Sequence, residues 1–154
     1  MSSPRPSPDS DESMRMSRRK HILTMKIPFC DVDMAGIVYT PRFADYIVRG
    51  WEEYFRSIGT PWEQFAGGDV IKGLPVISMS IRFKSPARCG DILDITTKVS
   101  KLTKRRIYFR FTLFNNVENR MVAVGTLVVT AFDGAYKPTP IPDFIVSAIT
   151  GKTQ

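Results

Sequence analysis

The chain has 154 residues, with 22 Lys and Arg against 15 Asp and Glu, a formal net charge of +7, one histidine and two cysteines. That length suits one domain with a sizeable core. No apolar run approaches the roughly 18–20 residues that cross a bilayer, and two cysteines cannot build a disulfide framework. With one histidine they cannot make a four-ligand zinc site either, and a lone His21 argues against a Ser-His-Asp or Cys-His machine. Catalysis is left to carboxylates, backbone amides and cationic side chains.

Residues 1–20 contain three prolines, eight charges and no aliphatic or aromatic residue other than methionine. Such a segment buries too little apolar area to offset its ordering entropy, so a disordered tail is expected over 1–20 and one folded domain over 21–154. It has no apolar core of a secretory signal, and Asp9, Asp11 and Glu12 count against a mitochondrial presequence. Arg18-Arg19-Lys20 reads as a solvated flank. The tail carries +2 of the net charge, so +5 belongs to the folded part.

Residues 22–29 form a first strand, placed at an edge because Pro28 cannot donate to a ladder. A turn-rich stretch follows. From Pro41 the period changes: Phe43, Ile47, Trp51, Tyr54, Phe55 and Ile58 make a helical stripe of about five turns. Thr40 is its expected N-cap, Pro41 its first residue, and Gly59-Thr60-Pro61 its stop. Strands are expected at 76–84, 91–100, 105–115 and 121–132, in antiparallel succession. In the third, Ile107, Phe109, Phe111 and Leu113 share one face and Arg106, Tyr108, Arg110 and Thr112 the other. The last is apolar on both faces, which points to a central strand covered on both sides. The fold class is α+β, one long helix wrapped by an antiparallel sheet.

Two stretches carry chemistry. Asp31-Val32-Asp33-Met34-Ala35-Gly36 has paired acids before a glycine, which serve either as turn formers or as a nucleophile or general base. The unpaired amides at the helix start, around Tyr39 and Thr40, can polarise a carbonyl or hold an oxyanion. Lys98, Lys101, Lys104, Arg105, Arg106 and Arg110 are six cations with no acid among residues 98–110. They form either a solvated hairpin or a phosphate site. Cys30 and Cys89 have no chemical role assigned.

The combination F-x-D-x-D-x-A-G-I-V-Y over residues 29–39, then G-x-P-W at 59–62 and G-x-P-V-I-S at 73–78, resembles the 4-hydroxybenzoyl-CoA thioesterase family of hotdog folds. The likeness runs from about residue 25 to residue 132. It implies hydrolysis of an acyl-CoA thioester, with an aromatic acyl group favoured over a short or medium chain. Asp33 would be the nucleophile or general base, and the amide at Thr40, with Tyr39 beside it, would polarise the carbonyl. Lys101, Lys104 and Arg105 would meet the phosphates of coenzyme A. No cofactor or metal is implied. The family's sites form between subunits, so a homodimer or homotetramer is expected, and with no targeting signal a cytoplasmic location. The rivals are a non-catalytic acyl-CoA-binding protein and a nucleic-acid-binding protein; no known nucleic-acid motif supports the latter.

Overall fold

The computed structural model describes residues 19–152, and the expected tail as far as Arg18 lies outside the described residues. The elements are β1 (Lys20–Lys26), α1 (Arg42–Ser57), β2 (Val76–Phe83), β3 (Ile92–Leu102), β4 (Arg106–Asn115), β5 (Arg120–Phe132), β6 (Pro138–Thr139) and α2 (Asp143–Thr150). All strand pairs are antiparallel, in the order β1-β3-β4-β5-β2, with β6 beside β5.

Alternation places the sheet's two faces. Leu93, Ile95, Thr97 and Val99 of β3, and Ile107, Phe109, Phe111 and Leu113 of β4, are all buried. Their neighbours Lys98, Arg106 and Arg110 stay exposed on the other face. On α1, Phe43, Ile47, Trp51, Tyr54 and Phe55 are buried as the stripe requires, joined by Tyr46 and Gly50. Tyr54 and Phe55 both meet Phe109 edge-on, with ring centroids 5.6 and 5.9 Å away. The helix opens one residue later than expected. Pro41 nonetheless has helical dihedrals (φ −60°, ψ −23°), so Thr40 still stands where the chain turns into the helix.

The antiparallel succession holds only for β3, β4 and β5. β2 does not pair with β3, its neighbour in sequence; it crosses to the far side of the sheet and pairs with β5. Nothing in the alternation of β2 distinguishes those two partners. β5 is also not covered on both faces: Val124 and Val128 are half-buried and Thr126 is exposed on the outer side. Its valines suit a strand because β-branched side chains fit the pleat, whether or not a second layer covers them. The short α2 was not legible as a helix, although Asp143 sits in its first turn and Gly151 (φ 69°) closes it. β1 takes the expected edge position and begins at Lys20, the last residue of the expected tail.

Gly50 fixes how closely α1 lies on the sheet. A Cβ there would stand 2.8 Å from Ile95 Cγ2 and 2.9 Å from Thr97 Oγ1. Replacing Gly50 with Ala is therefore expected to destabilise the fold by about 1–3 kcal/mol, in the range of overpacked cores, despite alanine's better helix propensity. A urea midpoint equal to or above that of the unmodified chain would contradict the close approach.

Candidate active site

The segment between β1 and α1 brings the paired acids to the helix start and gives them different surroundings. Asp31 closes a short 3-10 turn and is buried. Its carboxylate accepts a 2.7 Å hydrogen bond from Tyr46 Oη and pairs with Arg42 Nε at 3.4 Å. Its carbonyl oxygen accepts the Tyr39 N–H at 2.8 Å. Asp31 thus ties the loop to the first turns of α1 through both side chain and backbone. Desolvation and the Asp31 hydrogen bond push the Tyr46 hydroxyl well above the usual phenol range.

Asp33 heads a tight turn. Its N–H donates to the Ile37 carbonyl and its carbonyl accepts the Gly36 N–H, both at 3.0 Å. One carboxylate oxygen, Oδ1, accepts the Ala35 N–H at 2.8 Å. Gly36 closes the turn at φ +76°, a conformation that glycine adopts without a Cβ penalty. The Asp33 side chain is exposed in the protomer, and no hydrogen bond engages Oδ2 among the described residues.

Of the two amides expected to act together, the structure leaves one free for a ligand. The Tyr39 N–H is taken up by Asp31, while Pro41 has no N–H and the Arg42 N–H closes on the Tyr39 carbonyl. Among the described residues no hydrogen bond occupies the Thr40 N–H. Thr40 lies on the wall of a cavity of about 350 Å³ that Phe43, Phe83, Ser85 and Ala87 also line. Tyr39 and Asp33 are not on that wall. Tyr39, which precedes Thr40 in the chain, is exposed.

The basic turn sits elsewhere. Lys104 and Arg105 link β3 to β4, their carbonyls held by Ile141 N–H and Thr130 Oγ1. Lys101 carries its ammonium 5.5 Å over the Tyr108 ring. Lys26 pairs with Ile92 at the end of the sheet where the acidic loop leaves, whereas Leu102 pairs with Ile107 at the other end. With β3 spanning 11 residues at about 3.3 Å each, roughly 33 Å separates the two ends. Asp33 and Thr40 therefore share one end of a protomer, and Lys104 and Arg105 occupy the opposite one. Sequence reasoning missed the buried Asp31–Tyr46 bond: Tyr46, three residues after Phe43, lies on the buried face of α1, but helical spacing does not show which acid its hydroxyl meets.

Against this geometry, the family model described as the thioesterase-like superfamily matches residues 27–149. The chain belongs to the thioesterase-like superfamily. A chloroplastic acyl-acyl carrier protein thioesterase of Arabidopsis thaliana is 26% identical over 127 residues, covering 82% of this chain and 66% of that protein. The chain thus spans just under two thirds of that relative's length. The 4-hydroxybenzoyl-CoA thioesterase of a Pseudomonas species is 30% identical over 88 residues, covering 56% of this chain and 62% of that protein. The resemblance noted in the motifs therefore holds at the level of the family. The crystal structure of a 1,4-dihydroxy-2-naphthoyl-CoA thioesterase from Synechocystis superposes with a TM-score of 0.79 at 20% identity, covering 85% of this chain and 96% of that one. At that identity it speaks for the fold alone: a hotdog-type antiparallel sheet with helices. Among the described residues no group of three His, Cys, Asp or Glu is placed to hold a metal ion, and no helix is long and apolar enough to cross a membrane.

Removing the Tyr46 hydroxyl strips the buried Asp31 carboxylate of a hydrogen bond, a loss of about 1.5–3 kcal/mol for a bond to a charged group. Tyr46→Phe should show that loss in urea denaturation at neutral pH. The unmodified chain should also lose stability as pH rises past about 10, because unfolded tyrosine ionises there while folded Tyr46 holds its proton. That part of the alkaline slope should be absent from Tyr46→Phe, and identical slopes would show that the bond does not shift the hydroxyl.

Proposed function

We propose that this protein hydrolyses the thioester of an acyl-CoA, with an aromatic acyl group favoured, to the free acid and coenzyme A. The observation that carries the reading is the unengaged Thr40 N–H at the start of α1, on the wall of an apolar cavity. A carbonyl oxygen lodged there gains negative charge as the tetrahedral intermediate forms, and the amide and the helix dipole stabilise it. Asp33 supplies the attacking or proton-accepting oxygen. Its bond from Ala35 aims one carboxylate oxygen and leaves the other available. A thiolate leaves readily near the ordinary thiol pKa, so the reaction needs no histidine to protonate it.

A second copy completes the site in this reading. β2 is an edge strand with Val76, Ile77 and Phe83 exposed, an arrangement that invites pairing with another chain. Antiparallel pairing of β2 with β2 of a second copy sets the acidic-loop end of one protomer beside the basic-turn end of the other. Thioester chemistry at Asp33 and Thr40 of one chain is then joined to phosphate binding at Lys104 and Arg105 of its neighbour, with Lys101 flanking. That closes the gap that separates these groups within a single chain. The minimal active unit is a homodimer, and a tetramer adds no group that this chemistry lacks.

The plant relative is named for acyl groups borne on a carrier protein, which favours one second reading: the same hydrolysis on a carrier-bound thioester. A panel of acyl-CoAs from acetyl to palmitoyl, with benzoyl, 4-hydroxybenzoyl and carrier-bound acyl groups, separates the two by released thiol. Turnover should peak on the aromatic acyl-CoAs and fall at least a hundredfold in Asp33→Asn, the scale on which general base catalysis contributes, with the fold retained. Normal hydrolysis by that variant would remove Asp33 from the mechanism. Lys104→Ala with Arg105→Ala should raise KM for acyl-CoA more than it lowers kcat, and should spare thioesters of pantetheine that lack the nucleotide. In the ultracentrifuge Ile77→Asp should sediment as a monomer and lose turnover with its partner; an active monomer would overturn the shared site.

A further inference from the structure

The excess positive charge of the folded part gathers on the outer face of the sheet. Lys20 stands opposite Lys98, and Lys98 opposite Arg110, so three cations face one another across three adjacent strands. Like charges in direct register destabilise a sheet, and among the described residues no ion pair relieves them. The acids that form ion pairs are engaged by Arg42, Arg56, Arg88 and Arg120. The outward acid on β3, Asp94, is bonded by Thr24 Oγ1 at 2.6 Å. Among the described residues none of Lys20, Lys98, Arg82 or Arg110 makes an ion pair.

The row continues into a recess. Arg110 is opposite Thr126, which is opposite Ser80, while in the next row Thr112 is opposite Val124, which is opposite Arg82. Together they line a trough of about 450 Å³. Arg82 and Arg110 occupy diagonal corners, two strand spacings apart sideways and two residues apart lengthwise, or about 12 Å between their attachment points. Side chains of that length can reach one object lying between Thr126 and Val124. Two guanidinium forks above a floor of three hydroxyls match a dianionic tetrahedral oxyanion. The forks bind its oxygens in pairs and the hydroxyls supply further donors.

We propose that this trough is an anion site that takes the phosphoryl group of a small soluble ligand, with Arg82 and Arg110 as its principal contacts. It is separate from the basic turn, since five residues along β4 place Arg110 about 17 Å beyond Arg105. A recess favours a free phosphoryl group over the flat surface of a membrane. Bound anion would also neutralise the repulsion between Arg110 and Lys98.

The test needs no turnover, so it stands or falls apart from the proposed hydrolysis. Titration calorimetry and thermal melting of the full chain would use inorganic pyrophosphate at an ionic strength held constant with potassium chloride. Pyrophosphate should bind, raise the melting temperature, and bind at least tenfold more weakly to Arg82→Gln with Arg110→Gln. With the proposed basic-turn phosphate contacts removed by Lys104→Ala with Arg105→Ala, the pyrophosphate binding that depends on Arg82 and Arg110 should remain. Both arginines are exposed, so the double variant should fold, and in low salt without ligand it should melt no lower than the unmodified chain. Equal binding by the Arg82→Gln with Arg110→Gln variant, no binding left in the basic-turn variant, or an effect that potassium chloride alone reproduces would each overturn the site. Vesicles containing phosphatidic acid supply the other source: retention of the unmodified chain, but not the double variant, on vesicles with no response to pyrophosphate would overturn the soluble ligand.

Discussion

How closely α1 can lie on the sheet governs the rest of the molecule. At Gly50 the helix rests directly on Ile95 and Thr97, and at Gly125 the sheet yields room to Ile47, whose Cδ1 would lie 3.0 Å from an added Cβ. A side chain at either position would lift the helix and loosen the aromatic packing of Tyr54 and Phe55 on Phe109. It would also move the start of the helix, where Thr40 presents its amide. Interiors are packed too densely to absorb such a shift locally. Two absent side chains at the middle of the helix–sheet contact thus hold the geometry of the helix start.

The two aspartates illustrate how one short motif divides its labour. Asp31 is buried, bonded by Tyr46 and paired with Arg42. It gives up its freedom to hold the loop against the helix. Asp33, two residues on, uses a single oxygen to shape its own turn and turns the rest of its carboxylate to solvent. A carboxylate that is buried and fully bonded is a poor reagent, whereas one that is oriented but half free is a serviceable one. In the proposed mechanism that contrast, rather than proximity alone, selects Asp33.

Much of this was legible in the residues. The stripe from Phe43 to Phe55 and the alternation from Ile107 to Leu113 follow from periods that burial imposes, so both elements could be read with their faces. The D-x-D segment and Gly36 marked the loop. Strand neighbours were not legible, because β2 has the same alternation whichever partner it takes; its place beside β5 depends on where the chain crosses after α1. Nor could a sequence show that the Tyr39 amide is occupied and the Thr40 amide is not, since one hydrogen bond to the Asp31 carbonyl decides it. The distance between the acidic loop and the basic turn was equally hidden. Both lie on connections between elements, and only the strand directions send them to opposite ends.

That separation has a genetic consequence in the proposed dimer. Each of its two sites would draw the loop from one chain and the turn from the other. A chain damaged only in the loop and a chain damaged only in the turn, each inactive with its own kind, would assemble into a mixed pair. One site of that pair would carry both lesions and the other none. Two defective alleles in one cell would then restore part of the activity that neither provides alone.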